Sequence, residues 1–141
     1  MSDPTYPRGL PVIATLPFDE EAPGVVTYVH PSAGYVVAYR HGERTVHGNY
    51  SHTSQRIRPD LTTRLGLLWA REEVARALDL DVTHGVSVWR WAYGWHFYTP
   101  ADYHTVGPKG SWTYAEIPGT DTDDESTMLA AVLAWAKERD K

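Results

Sequence analysis

The stretch VWRWAYGWHFYTP, residues 88–100, constrains the fold of this chain more than any other segment, because aromatic rings occupy every second position from Trp89 to Phe97. A period of two is typical of a β-strand, in which successive side chains point to opposite faces. Tyr93-Gly94 interrupts the pattern with a dipeptide suited to a tight loop, since glycine tolerates a positive φ. We therefore predict a β-hairpin with Tyr93 and Gly94 as its loop.

This hairpin divides the aromatic residues between two faces of a sheet, and its register places Trp91 opposite His96. One predicted face carries Trp89, Trp91, His96 and Tyr98, and the other carries Arg90, Ala92, Trp95 and Phe97. Helices cover one face of a half-buried sheet, so at least one tryptophan should be exposed. An exposed aromatic patch usually marks an interaction site. The alternatives are that an N-terminal arm, or a second copy of the same sheet in a homodimer, covers this face.

Strand and helix signals alternate along the rest of the chain. Gly42-Glu43 suits a two-residue hairpin loop, which places a set of apolar residues on one face, namely Tyr35, Val37, Tyr39, Val46 and Tyr50. The segments follow the order of three strands and a helix, then three strands and a helix. We predict an α+β fold with a mainly antiparallel sheet of about six strands and two helices packed on one face. The same order permits a βββα-βββα pseudo-repeat.

Prolines before residue 20 indicate that residues 1–23 form an extended arm, with VIATL at 12–16 as a strand-like piece that suits a sheet edge. Residues 24–141 are predicted to form a single α+β domain, in which WTYAEIP at 112–118 is the last strand. Asp60 is the predicted N-cap of the first helix, and Thr122 with Glu125 has capping-box spacing before the second.

Composition limits the classes of protein that this chain can belong to. The 141 residues include no cysteine, which excludes disulfides and thiolate metal sites. The acidic N-terminus is unlike a signal peptide, and no apolar run reaches the roughly 20 residues that cross a bilayer. We therefore expect a cytoplasmic protein without membrane association. The net charge of −5 disfavours non-specific binding to polyanions.

Motifs for catalysis or cofactor binding do not occur in the sequence. The patterns HExxH, GxSxG, GxGxxG and GxxxxGK[ST] are absent, and His41, His47 and His52 do not converge in the predicted hairpin. We expect no metal, no cofactor and no enzymatic activity. A histidine-containing pocket built around His52 or His96 is the catalytic alternative.

The function that these patterns favour is non-catalytic and regulatory, with binding to a protein partner or to a second copy of the chain. Tryptophan, tyrosine and arginine dominate binding energy at protein interfaces. Trp69 projects from the polar side of the first predicted helix, although the strands or the arm could cover it. The candidate contact residues are Trp69, Trp89, Arg90, Trp91, His96 and Tyr98.

The alternative function is nucleic-acid or anion binding by a basic segment. Between Tyr35 and Arg58 the only acidic residue is Glu43. The segment SHTSQRIR precedes a predicted helix N-terminus, where hydroxyl, amide and guanidinium groups could hold a phosphate, although Asp60 competes for the same N–H groups. The candidate residues are Arg40, Arg44, Ser54, Gln55, Arg56 and Arg58.

Overall fold

The computed structural model describes residues 6–110, 112 and 115–139. Backbone contacts divide the chain into two compact units, one within Asp3–Leu67 and the other within Leu68–Lys141. Strands and helices lie in separate segments and the sheets are mostly antiparallel, which confirms the predicted α+β class. That residues 24–141 fold as a single domain stays a prediction.

The N-terminal unit contains one antiparallel sheet. Its strands are β1 (Pro11–Thr15), β2 (Glu21–His30), β3 (Gly34–His41), β4 (Arg44–Tyr50) and β5 (Ile57–Pro59), in the spatial order β4-β3-β2-β1-β5. Every second residue of β1 is buried, and Val12, Val26 and Val37 are fully buried on neighbouring strands. β1 has a strand on each side, so it is an interior strand and not the sheet edge expected from the sequence.

The β3–β4 hairpin confirms the loop predicted at Gly42-Glu43. His41 pairs with Arg44, Tyr39 with Val46 and so on to Tyr35 with Tyr50. Gly42 has a φ of 64°, a conformation that glycine adopts without steric cost. Local turn chemistry therefore sets the register of this hairpin.

The C-terminal unit contains the second sheet. Helix α1 (Arg64–Ala77) spans the boundary between the units, and it is followed by β6 (Ser87–Trp91), β7 (Gly94–Tyr98), β8 (Tyr103–Gly107), β9 (Ala115–Glu116) and α2 (Glu125–Arg139). The sheet order is β6-β7-β8-β9, with β8 and β9 parallel. Met128, Leu129, Val132 and Ala136 form the buried stripe of α2.

The described residues form nine strands in two sheets, whereas about six in one sheet were expected. β8 lies in a segment that reads as a loop because Pro100 and Pro108 flank it. Among the described residues of the predicted strand 112–118, Ala115–Glu116 form a strand, and Thr113 and Tyr114 lie outside the described residues. The pseudo-repeat stays a prediction.

Both predicted helix caps are wrong by a few residues. Helix α1 begins at Arg64, and its cap is Thr63, whose Oγ1 accepts a hydrogen bond from the Gly66 amide at 3.1 Å. Asp60 instead accepts hydrogen bonds from Thr62 in the preceding turn. Short polar side chains bond to nearby backbone in turns as well as at caps, so the sequence alone does not distinguish the two.

The same correction applies to α2. Asp124 caps this helix by accepting a hydrogen bond from the Thr127 amide at 3.1 Å. Thr122 lies in the loop before it, where its side chain accepts from the Asp124 amide and its carbonyl accepts from the Trp95 indole at 2.8 Å. Neither helix in the described part of the chain is long and apolar enough to cross a membrane.

Candidate interaction surface on the second sheet

The β6–β7 hairpin positions most of the aromatic residues that the sequence singles out. Trp91 pairs with Gly94, Arg90 with Trp95 and Trp89 with His96. The loop is therefore Ala92-Tyr93, one residue earlier than predicted, and Tyr93 adopts the positive φ of 71°. The predicted cross-strand register is wrong by two residues, but the predicted faces are correct because side chains alternate with a period of two.

Gly94 has a role in this hairpin that differs from the predicted one. It lies on β7, and a Cβ atom at this position would be 2.3 Å from the carbonyl oxygen of Val106 on β8. Glycine therefore permits a close approach of β7 to β8 and is not needed for the turn. The positive φ falls on Tyr93, a residue type that rarely adopts it.

We define the aromatic surface as Trp89, Trp91, Tyr98 and Tyr103 arranged around His96. β8 contributes Tyr103, because Tyr98 pairs with Tyr103 and His96 pairs with Thr105 in the antiparallel β7–β8 ladder. All four outer rings are exposed, with Trp91 at 67% of its full exposure, whereas His96 is only 5% exposed. The surface therefore consists of solvent-facing rings around a buried imidazole.

Hydrogen bonds fix the orientation of the His96 ring. Its Nε2 lies 3.3 Å from the Trp91 carbonyl, which can only accept, so we assign the ring proton to Nε2. The Nδ1 atom then accepts a hydrogen bond from the Tyr103 hydroxyl. Thr105 in turn donates to the Tyr103 oxygen at 3.2 Å. This chain of hydrogen bonds connects all three strands that form the surface.

Ring contacts hold the tryptophans against this imidazole. Trp89 stacks on His96 with centroids 5.9 Å apart and ring planes inclined by 9°. The ring centroids of Trp91 and His96 are 5.7 Å apart, and those of Tyr98 and Tyr103, which meet edge to face, are 6.3 Å apart. Because each ring contacts a neighbour, its orientation in the free protein is restricted before any ligand binds.

Arg90 lies on the opposite face of β6 from the aromatic surface. Its guanidinium pairs with Asp121 at 3.6 Å and Asp123 at 3.3 Å. The strand residues that form the aromatic surface include no arginine or lysine. Of the partner-binding residues predicted from the sequence, the structure brings together Trp89, Trp91, His96 and Tyr98 but not Arg90.

Trp69 lies on α1, where it is half-buried. Sequence reasoning missed Tyr103 and Thr105, which complete the aromatic surface from β8. The available signal was the alternation in YHTV, where tyrosine and threonine share one face of a strand. Two flanking prolines obscured it.

Anion binding by the basic segment of the N-terminal unit stays a prediction, and two of its arginines have internal contacts in the structure. The Arg56 guanidinium donates to the Leu16 carbonyl at 2.7 Å, and Arg58 forms an ion pair with Glu21. This ion pair raises the pKa of Arg58, chiefly through the hydrogen bond to Glu21. The segment leads into β5, and residues 60–63 separate this strand from α1.

The other predicted nucleic-acid residues are divided between two places. Ser54 accepts a hydrogen bond from the Arg56 amide at 3.1 Å, and Gln55 is exposed beside it. Arg40 and Arg44 are exposed near the end of the β3–β4 hairpin. Among the four arginines of the predicted nucleic-acid site, Arg40 and Arg44 are therefore the two without a described internal contact.

The histidines considered for catalysis make structural contacts. The Nε2 atom of His52 lies 2.7 Å from the His30 carbonyl, and its ring meets Tyr35 edge to face at 4.8 Å. Among the residues that the structure describes, no three His, Asp or Glu side chains group to hold a metal ion.

A shallow cleft lies near β9. It is lined by Pro108, Lys109, Glu116, Ile117, Pro118, Gly119 and Asp121.

Comparison of the chain with protein-family models, with curated protein sequences and with solved structures gives no match. The fold and the site define the protein as an α+β protein with an exposed, internally ordered aromatic surface on its second sheet.

Proposed function

We propose that this protein is a non-catalytic, cytoplasmic interaction protein, with a regulatory role, that binds a protein partner through the aromatic surface. The observation that supports the proposal is the group of exposed rings of Trp89, Trp91, Tyr98 and Tyr103 around the buried His96. Large rings that face solvent side by side are uncommon on monomeric proteins and mark contact sites.

The order within this surface favours binding. Hydrogen bonds fix the His96 ring, and the ring contacts of Trp89 and Trp91 with it restrict the tryptophan side chains in the free protein. A partner therefore meets rings that lose little conformational entropy on binding, and each immobilised flexible side chain would otherwise cost about 0.5–1.5 kcal/mol. The Tyr98 hydroxyl and the indole N–H groups of the two tryptophans provide hydrogen-bond donors at the same place.

The charge of this surface favours a protein over a nucleic acid. Nucleic-acid affinity depends on cations that displace counterions from phosphates, and the strand residues of the aromatic surface include none. Nucleic-acid binding remains the second candidate, supported by the exposed side chains of Arg40 and Arg44 in the other unit.

The test is capture of binding partners from a lysate of the natural host by immobilised protein, with and without nuclease. The wild type is compared with Trp91→Ala and with Phe18→Ala, a matched loss of an exposed ring in the N-terminal unit. We expect a protein that survives nuclease treatment, is captured by the wild type and Phe18→Ala, and is lost with Trp91→Ala. Equal capture by all three proteins would overturn the proposal.

The Trp91→Ala variant must also be shown to fold. Trp91 is 67% exposed, so its truncation should change the free energy of unfolding by less than about 1 kcal/mol, measured by urea denaturation. A larger loss would show that the ring stabilises the fold and would remove Trp91 from the contact surface.

A further inference from the structure

Strand β6 is an open edge of the second sheet. It pairs with β7 on one side, and the described residues place no strand on its other side. The two-residue loop requires that Trp91 and Gly94 form a hydrogen-bonded pair, because the alternative pattern would need bonds between the adjacent residues Ala92 and Tyr93. Hydrogen-bonded pairs then recur at every second residue of the strand.

The backbone groups of the intervening residues therefore point away from the sheet. These residues are Val88 and Arg90, and each contributes one outward N–H donor and one outward carbonyl acceptor. An exposed row of such groups is a template for another strand. The template lies on the same strand as Trp89 and Trp91, so an added strand would extend the aromatic surface.

The two faces of an added strand would meet different chemistry. Side chains on one face would contact the rings of Trp89 and Trp91. Side chains on the other face would lie beside Arg90, whose charge is balanced by Asp121 and Asp123, with side chains 75% and 94% exposed. Two carboxylates against one guanidinium leave a net negative charge at this place, which attracts cationic side chains.

The charges also favour a different protein over a second copy of this chain as the molecule that binds the edge of β6. A symmetric pairing of β6 with itself would bring two sets of these carboxylates together in molecules that each carry a net charge of −5. Like charges across an interface disfavour association. A segment with lysine or arginine at alternate positions has the complementary charge.

We propose that an extended segment of a protein partner, with apolar residues alternating with lysine or arginine, binds by adding a strand to the open edge of β6. The proposal rests on the proposed function and specifies which part of the partner the aromatic surface binds. Backbone hydrogen bonds to Val88 and Arg90 supply affinity, and the alternating side chains supply specificity.

The test measures binding of a labelled, end-blocked peptide of about eight residues, the upper range of strand lengths, in which valine and lysine alternate. Fluorescence anisotropy gives the Kd for the wild type and for two variants of the edge. Val88→Pro removes the outward N–H, and Val88→Ala removes the same apolar side chain but keeps that N–H. We expect Val88→Pro to raise the Kd roughly fivefold relative to Val88→Ala, which corresponds to one hydrogen bond.

A control that needs no change to the protein covers the case in which Val88→Pro does not fold. A peptide that is N-methylated on every backbone nitrogen keeps every charge and loses the backbone donors of both its edges, so it should bind the wild type at least fivefold more weakly, by the same hydrogen-bond energy. Exchange of lysine for glutamate in the peptide should abolish binding, and Asp121→Asn with Asp123→Asn should weaken binding at low salt. Equal affinity for the methylated peptide would overturn the inference.

The inference and the proposed function can fail separately. Lysate capture that depends on Trp91 but is the same for Val88→Ala and Val88→Pro would keep the aromatic surface and reject strand addition. A concentration-dependent dimer in sedimentation experiments, abolished by Val88→Pro, would assign the edge to a second copy and would also overturn the inference.

Discussion

Trp89 and His96 face each other across the β6–β7 ladder as a cross-strand pair, and their rings stack with an inclination of 9°. This pair combines a buried residue with an exposed one, as the aromatic surface does as a whole. The imidazole is buried and hydrogen-bonded, whereas the indole above it is partly exposed. The buried residue therefore supports the orientation of the exposed one.

Replacement of His96 by alanine should destabilise the protein. The change removes the stacking partner of Trp89 and the hydrogen bonds that the His96 ring forms with the Trp91 carbonyl and the Tyr103 hydroxyl. We expect a loss of about 2 kcal/mol in the free energy of unfolding, measured by urea denaturation. His47→Ala is the control, because His47 is exposed and should change stability by less than about 0.5 kcal/mol. Equal losses for both variants would contradict a structural role for His96.

Replacement of Gly94 by alanine should be poorly tolerated for a steric reason. The new Cβ would lie 2.3 Å from the Val106 carbonyl oxygen, so β7 and β8 would have to separate. We expect a loss of at least about 2 kcal/mol in thermal or urea unfolding. The comparison is Gly85→Ala, where the φ of 93° is unfavourable for alanine but no atom lies within 4 Å. A smaller loss at Gly94 than at Gly85 would show that the strands adjust easily.

Stability should fall when the pH falls below the ordinary pKa of histidine, and His104 should contribute to the fall. Burial lowers the pKa of His104 below its ordinary value of 6.5, and Asp79 opposes this shift only in part. The unfolded chain therefore binds the proton more readily, so the stability lost through this residue accumulates from about pH 6.5 down to the folded-state pKa.

The measurement for His104 is the midpoint of urea unfolding between pH 8 and pH 5, a range that spans the ordinary histidine titration. His104→Gln should show a flatter dependence on pH than the wild type, because glutamine does not titrate there. His47→Gln, at an exposed position, should retain the dependence of the wild type. An unchanged slope in His104→Gln would assign the effect to other groups.

Nucleic-acid binding by the basic residues of the N-terminal unit should be weak. Arg56 and Arg58 are exposed but have internal contacts, which leaves Arg40 and Arg44 as the arginines of the predicted set without a described internal contact. We expect a single-stranded oligonucleotide to bind with a logarithmic salt slope no steeper than about −2, as two phosphate contacts would give. A steeper slope that becomes shallower in Arg40→Ala with Arg44→Ala would favour the nucleic-acid candidate over the protein partner.

The sequence predicted correctly which side chains of β6 and β7 share a face. Trp89 and His96 lie together, and Arg90 lies opposite, even though the hairpin loop is one residue away from its predicted position. A strand has a period of two, so an error of two residues in the register keeps every side chain on its face. The loop at Gly42-Glu43 was predictable for a related reason, because its turn chemistry is local.

Other features depended on contacts between distant residues. Asp60 and Thr122 have the composition of helix caps, yet the caps are Thr63 and Asp124. Several nearby side chains can bond the first free amides of a helix, and the path of the loop through space selects one of them.

Alternation and turn residues by themselves therefore determined the α+β class, two hairpins and the two faces of the aromatic stretch. Only the tertiary structure decided that β1 is an interior strand, that the strands form two sheets, and that β8 places Tyr103 and Thr105 beside His96. The physical reason is that side-chain alternation is a property of a single strand. Strand pairing depends on hydrogen bonds and side-chain packing between segments far apart in the chain, which no local pattern specifies.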